Sequence, residues 1–303
     1  MTYPDDSDDA EDIIQRIHYA RSDHKGHHKP NELIHLRKEA LEEARRFKEV
    51  AHRIEEAILD NSLELNFQPI YSFEKNRITS LEVLSRLKDG KHNYINPEYF
   101  IHVAEINHTI IQLSRQMFEK TCRFAVDNNI FDRGINDMNI NISPIQCQDK
   151  HLVQDLKKIA AKYGIPFERF HFEITESRLT DEKAVRETLT KLKENGAKIA
   201  LDDFGTGYSN IASIMLMPID FVKIDKSLLW SYASGDNEFL NELMPMIRGE
   251  GKKIIAEGIE TEEHIEILRR MGGDFLQGYY YSKPLNEENF IRFLDARNNG
   301  AEA

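Results

Sequence analysis

Phe170-His171-Phe172-Glu173-Ile174-Thr175 and Lys198-Ile199-Ala200-Leu201-Asp202-Asp203 flank an amphipathic stretch at residues 181–195. Each flanking run is apolar in its body and acidic near its C-terminal end. Two short apolar runs separated by a helical pattern predict a β-α-β unit, with parallel strands and a crossover helix. The same texture extends in both directions. Residues 64–70, 80–87, 136–143, 220–225, 253–257 and 274–277 also read as strands. Residues 98–128, 149–163, 237–250, 261–271 and 286–297 read as amphipathic helices. Eight strands interleaved with helices over about 240 residues predict an α/β fold, a TIM-like (β/α)8 barrel. A doubly wound open sheet is the competing architecture, because periodicity does not decide closure.

An N-terminal helical extension precedes the barrel. Asn31, after Pro30, is placed to cap a helix running to about residue 60. Ala40, Ala44, Phe47, Ala51, Ile54 and Ile58 recur at spacings of four and three, which predicts one apolar stripe packed on the body of the protein. The expected division is a polar segment and helical extension at 1–50, followed by the barrel domain at 51–303. His24, His27 and His28 read as a solvated patch rather than a metal site.

Composition narrows the function classes. The chain has 303 residues, 40% of them hydrophobic, and a formal net charge of -12. Broad electrostatic binding of DNA or RNA needs a basic surface, so neither is an expected partner. No apolar stretch approaches the roughly 20 residues of a spanning helix. The acidic N-terminus lacks the apolar core of a secretory signal. Two cysteines, Cys122 and Cys147, are too few and too far apart for a zinc site or a disulfide framework. They fit a reducing compartment, so a cytoplasmic location is expected, or the cytoplasmic part of a larger membrane-anchored sensor.

The positions of the polar residues carry the functional signal. Glu173, Asp202, Asp203, Lys223 and Glu257 each stand near the C-terminal end of a strand, and Glu82 and Asn141 sit in similar runs. Buried unpaired carboxylates are costly. In a barrel these ends converge on one face, where TIM-barrel enzymes keep their active sites. Carboxylates gathered there repel one another unless hard cations neutralise them. Oxygen donors without cysteine or histidine favour Mg2+ or Mn2+ over Zn2+. A structural ion-pair network is the alternative. Adjacent aspartates in a regular strand point to opposite sides, but at a strand end, where the chain turns, both can serve one site.

Together these residues resemble the EAL-domain family of cyclic di-GMP phosphodiesterases. The matching segments are Gln68-Pro69-Ile70, Glu82-Val83-Leu84 followed by Arg86, Asn141-Ile142-Ser143, Glu173-Ile174-Thr175-Glu176, Asp202-Asp203-Phe204-Gly205-Thr206-Gly207, Lys223-Ile224-Asp225, Ala256-Glu257-Gly258-Ile259-Glu260-Thr261 and Gln277-Gly278-Tyr279. The resemblance implies hydrolysis of cyclic di-GMP to linear pGpG with two Mg2+ or Mn2+ ions per site. It implies Glu82, Asn141, Glu173 and Asp202 as ligands of one ion. Asp202, Asp203 and Glu257 are implied ligands of the other. Lys223 is implied to position the attacking water, so Lys223, Glu257 and Glu82 form the catalytic set. Gln68, Arg86, Gln277 and Glu260 are implied on the substrate side, and Glu176 as the anchor of the loop after Asp203.

Two positions depart from the family pattern. The signature alanine is Val83 here, a packing change that keeps the ligand Glu82, and Glu105-Ile106-Asn107-His108 replaces a segment that usually carries a glycine. A catalytically silent cyclic di-GMP receptor is the alternative function, though such modules usually lack several ligands. The resemblance also suggests a homodimer through Ile211, Ile214, Met215, Leu216 and Met217. Residues 8–26 loosely resemble the last helix of a GGDEF domain. They point to the EAL part of a GGDEF–EAL tandem protein or to a degraded upstream domain.

Overall fold

The computed structural model describes residues 38–175, 182–205 and 217–298. The histidine patch, the proposed cap at Asn31, Glu176, and most of the expected dimer segment lie outside these residues. The chain divides into two compact units, one with residues up to 62 and 87–107, the other with 63–86 and 108 onward.

In the first unit, α1 (Lys38–Leu59) packs against α2 (Pro97–Ile106). The stripe expected on α1 is present but rotated. Val50, Ile54 and Ala57 are buried, whereas Ala44, Phe47, Ala51 and Ile58 are half-buried along its edge. Asn96 caps α2 by accepting from the Glu98 N–H at 2.9 Å, and Pro97 occupies the first turn, where its missing N–H costs nothing. The Arg46 guanidinium stands 4.6 Å over the Tyr99 ring. The single helix expected at 98–128 is in fact two, because the chain breaks at Asn107–Thr109, where His108 adopts φ 57°.

The second unit is a closed barrel. Its elements in chain order are β1 (Glu64–Ser72), β2 (Arg77–Arg86), α3 (Ile110–Asp127), β3 (Asp137–Asn141), α4 (Leu152–Lys162), β4 (Phe170–Thr175), α5 (Glu182–Glu194), β5 (Lys198–Phe204), β6 (Phe221–Ile224), α6 (Lys226–Ala233), α7 (Leu240–Gly249), β7 (Lys253–Ala256), α8 (Glu262–Met271), β8 (Phe275–Leu276), β9 (Leu285–Asn286) and α9 (Glu287–Asn298). Strands β2 to β8 follow one another in parallel, and β1 closes the ring between β8 and β2. β9 adds a short antiparallel pairing to β1 outside that circuit.

One strand departs from an all-parallel barrel. β1 runs antiparallel to both neighbours. Its link to β2 spans only residues 73–76. A link this short makes a hairpin, since a parallel crossover needs a dozen or more residues. Helix α6 is a further addition, since no helical pattern is expected at 226–233.

Inside the barrel, the side chains form levels, because successive residues of a strand face opposite sides. Ile70, Ala200, Phe221 and Ile255 make a buried apolar floor, with Phe275 packed on it. Two residues further along β5, β6, β7 and β8 come Asp202, Lys223, Glu257 and Gln277. Two residues back along the reversed β1 comes Gln68. Register brings in the rest, as Gln68 pairs with Glu82 and Asn141 with Glu173. The apolar level thus holds up a ring of polar side chains at the C-terminal mouth.

Candidate active site

Lys223 Nζ occupies the centre of this ring. It lies 2.8 Å from Glu173 Oε2, 2.8 Å from Glu257 Oε1, 2.9 Å from Asp202 Oδ1 and 3.5 Å from Glu82 Oε2. The lysine is 1% exposed, so the carboxylates take the place of its water. Amides complete the network. Gln277 Nε2 donates to Glu82 Oε2 at 2.6 Å and to Gln68 Oε1 at 3.1 Å. Asn141 Nδ2 donates to Glu82 Oε1 at 2.9 Å, and Gln68 Nε2 to the Ser282 carbonyl at 3.4 Å.

Asp203 joins through a defect in the pleat. The β5–β6 register shifts between Leu201 and Phe204, and Asp203 has φ 55°. A bulge inserts one residue and re-aims its neighbours. Aspartate is among the few side chains that tolerate positive φ. The irregularity lets two consecutive aspartates serve the same mouth. Oxygens of Asp202, Asp203 and Glu257 lie within 4.8 Å of one another, an arrangement able to hold a metal ion.

The charges do not balance, since Glu82, Glu173, Asp202, Asp203 and Glu257 face one lysine. Burial, with the neighbouring Asp202, pushes the Asp203 carboxyl up to about 6. Burial likewise pushes Glu257 up to about 8, against the pull of Lys223. Glu173, fully buried, is raised well above the usual carboxylate range. Burial also acts to raise Glu82, but Lys223, Gln277 and Asn141 outweigh it and hold the group below its ordinary value. Burial alone would lower Lys223; Asp202, Glu173, Glu257 and Glu82 instead raise it well above normal. A surplus of buried oxygen donors fits hard divalent cations. The two thiols play no part, since burial pushes both Cys122 and Cys147 up to about 12.

Of the residues expected in the site, Gln68, Glu82, Asn141, Glu173, Asp202, Asp203, Lys223, Glu257 and Gln277 come together. Arg86 is half-buried at the C-terminal end of β2, where its Nη1 donates to the Ser85 carbonyl at 2.9 Å. Glu260 is exposed, outside the hydrogen-bonded cluster, and its backbone N–H points to His264 Nδ1 at 3.4 Å. One member was not anticipated. Asn139 Nδ2 donates to Glu173 Oε1 at 2.6 Å. Its signal in the sequence was the spacing of two between Asn139 and Asn141, which puts both on the inner face of β3.

Gln277 is held in place by backbone contact. Gly278 lies so close to Ile259 that a Cβ there would stand 2.2 Å from that residue's backbone nitrogen and oxygen. The same approach lets the Ile259 N–H donate to the Gln277 carbonyl at 3.1 Å and the Tyr280 N–H to the Ile259 carbonyl at 2.8 Å.

Residues 51–284 match the family described as the EAL domain. Signaling protein YkoW of Bacillus subtilis is 32% identical over 80% of this chain and 30% of its own length. The cyclic di-GMP phosphodiesterase NbdA of Pseudomonas aeruginosa is 27% identical over 97% of this chain and 38% of its own. The chain therefore spans about a third of the length of these curated relatives. Among solved structures, the EAL enzyme Bd1971 with cAMP and cyclic di-GMP bound superposes with a TM-score of 0.76 at 26% identity, covering 83% of this chain and 70% of that one. The PaMucR phosphodiesterase in complex with c-di-GMP gives 0.71 at 28% identity, covering 80% and 99%. Among the described residues, no helix is long and apolar enough to cross a membrane.

Proposed function

The chain belongs to the EAL-domain family, and on that footing we propose that it hydrolyses cyclic di-GMP to linear pGpG with Mg2+ or Mn2+. The observation that carries the proposal is the ring around Lys223, where four carboxylates converge on one cation at the mouth of a closed barrel and a fifth, Asp203, stands beside two of them.

The reaction forms a bond from a water oxygen to phosphorus and breaks one ester bond to a ribose oxygen, which leaves with a proton. Paired divalent cations supply a water of lowered pKa and relieve charge on the phosphate. Glu82, Asn141, Glu173 and Asp202 are the proposed ligands of one ion, and Asp202, Asp203 and Glu257 of the other. Asn141 gives its N–H to Glu82, so its carbonyl oxygen is the atom available to a cation. Lys223 orients the water and adds positive charge where the phosphate becomes more anionic. The planar fork of Arg86 suits a phosphate oxygen pair. Gln68 and Gln277 offer amides to the substrate side, Glu260 is proposed there too, and Glu176 is proposed as the anchor of the loop after Asp203. Residues 51–303 are proposed as the catalytic domain, with 1–50 preceding it and a homodimer as its assembly.

Incubation with cyclic di-GMP and either ion should give pGpG, and chelation should stop it. Binding without turnover would instead identify a receptor. Neither binding nor turnover would remove the proposal.

A further inference from the structure

We propose that Asn139 is a positioning residue, whose amide locks the Glu173 carboxylate in the orientation that metal binding requires. The inference rests on the metal-dependent function proposed above.

β3 reads Asp137-Met138-Asn139-Ile140-Asn141. Asn139 shares the inner face with Asn141 and precedes it by two residues, just as Ala200, Phe221 and Ile255 precede Asp202, Lys223 and Glu257. An amide therefore stands where β5, β6 and β7 carry apolar side chains at the corresponding position, and the adjacent strands bring polar Glu82 and His171 into register with it. Asn139 is 1% exposed, and among the described residues its Oδ1 has no hydrogen-bond partner. Leaving an acceptor buried and unmet is unfavourable. A small apolar side chain, such as Ala200 of β5, would occupy the position without that cost. What the amide adds is a 2.6 Å hydrogen bond to Glu173 Oε1.

That bond has a geometric consequence. Glu173 is completely buried, and Lys223 holds its other oxygen, Oε2, at 2.8 Å. The terminal torsion of a glutamate is soft, so one donor leaves the carboxylate plane free to rock. Two donors on opposite oxygens fix the plane. Partners that orient a ligating carboxylate change metal affinity by about 10–100-fold when removed.

The test is a Mn2+ titration of the substrate-free protein, following free Mn2+ by its electron paramagnetic resonance signal. The proteins compared are wild type, Asn139→Leu, Asn139→Ala, Glu173→Gln, and Asn139→Ala in the Glu173→Gln background. The leucine variant keeps the branched outline of asparagine without its polar atoms, and the alanine variant, matched in size to Ala200, carries the test if the larger leucine does not fold. We expect both Asn139 variants to bind Mn2+ about tenfold or more weakly. With Glu173→Gln present, Asn139→Ala should change affinity less than about twofold, because its effect runs through Glu173. Wild-type affinity in the folded Asn139 variants would overturn the inference and leave the metal site standing. An equal loss in the Glu173→Gln background would also overturn it, by showing a packing effect. A wild type that fails to bind Mn2+ would remove the metal site and the inference together.

Discussion

Lys223 Nζ and Glu173 Oε2 meet at 2.8 Å in a place where the two side chains are 1% and 0% exposed. Removing one partner of such a buried pair typically costs about 3–5 kcal/mol, because the other charge is left uncompensated. Here the lysine compensates three further carboxylates as well.

Lys223→Met should therefore have two effects. Turnover of cyclic di-GMP should fall at least about 100-fold, the usual scale for losing a catalytic donor. The metal-free protein should also melt lower than wild type, and Mn2+ should recover more stability in the variant than in wild type. Full turnover by a folded Lys223→Met protein would exclude the lysine from the chemistry.

Stability without metal should fall as pH rises. Glu257 titrates near 8 and Asp203 near 6 in the folded state, both above their ordinary values. Between about pH 4 and 8 the folded chain thus holds more protons at these groups than the unfolded chain, so stability declines across that window, and the raised Glu173 acts in the same direction. Glu82, held low, opposes this only in acid, where its protonation costs stability. Calorimetry of the chelated protein should show Tm dropping by roughly 5–10 °C between pH 5 and pH 9. Mg2+ or Mn2+ should raise Tm most at the alkaline end, because ligating carboxylates must first lose their protons. A flat or rising metal-free profile would contradict the crowding of charge described here.

Asp203 separates charge from backbone shape. Its φ of 55° suits asparagine nearly as well as aspartate. At neutral pH Asp203→Asn should leave the metal-free Tm at or above that of wild type, since it removes a carboxylate that is costly to ionise there, while lowering turnover at least about tenfold. Asp203→Ala should lose about 1–2 kcal/mol besides, as a side chain that fits the left-handed region poorly. Equal stability of the two variants would show that the bulge carries no conformational preference.

Gly278→Ala tests the backbone contact behind Gln277. The added methyl would overlap the Ile259 backbone, so something must shift. We expect a loss of at least about 2 kcal/mol in unfolding experiments. Turnover by the fraction still folded should fall too, since Gln277 holds Glu82.

Most of the ring was legible because each member stands beyond an apolar strand body, and period-two alternation survives in a barrel. The reversal of β1 was less plain. The strand pattern of 64–70 is the same in either direction, and only the length of the following link distinguishes them. The break between α2 and α3 was hidden because residues on both sides continue one helical pattern. The rotated face of α1 reflects small residues, since Ala44 and Ala51 fit a seam or an edge equally well. Asn139 escaped notice because an asparagine deep in a strand carries no label; what it does depends on which carboxylate the next strand brings alongside.

The bulge at Asp202 and Asp203 changes the arithmetic of the rim. Eight pleated strands, each giving one inward side chain at a given height, would supply eight groups: Gln68, Glu82, Asn141, Glu173, Asp202, Lys223, Glu257 and Gln277. One surplus residue supplies a ninth, and it is acidic. Deleting a single residue there would restore the regular zigzag and leave the cylinder shut, yet would subtract one of the two carboxylates that β5 supplies. A lineage can thus lose its chemistry by a one-codon deletion while its architecture stays unchanged.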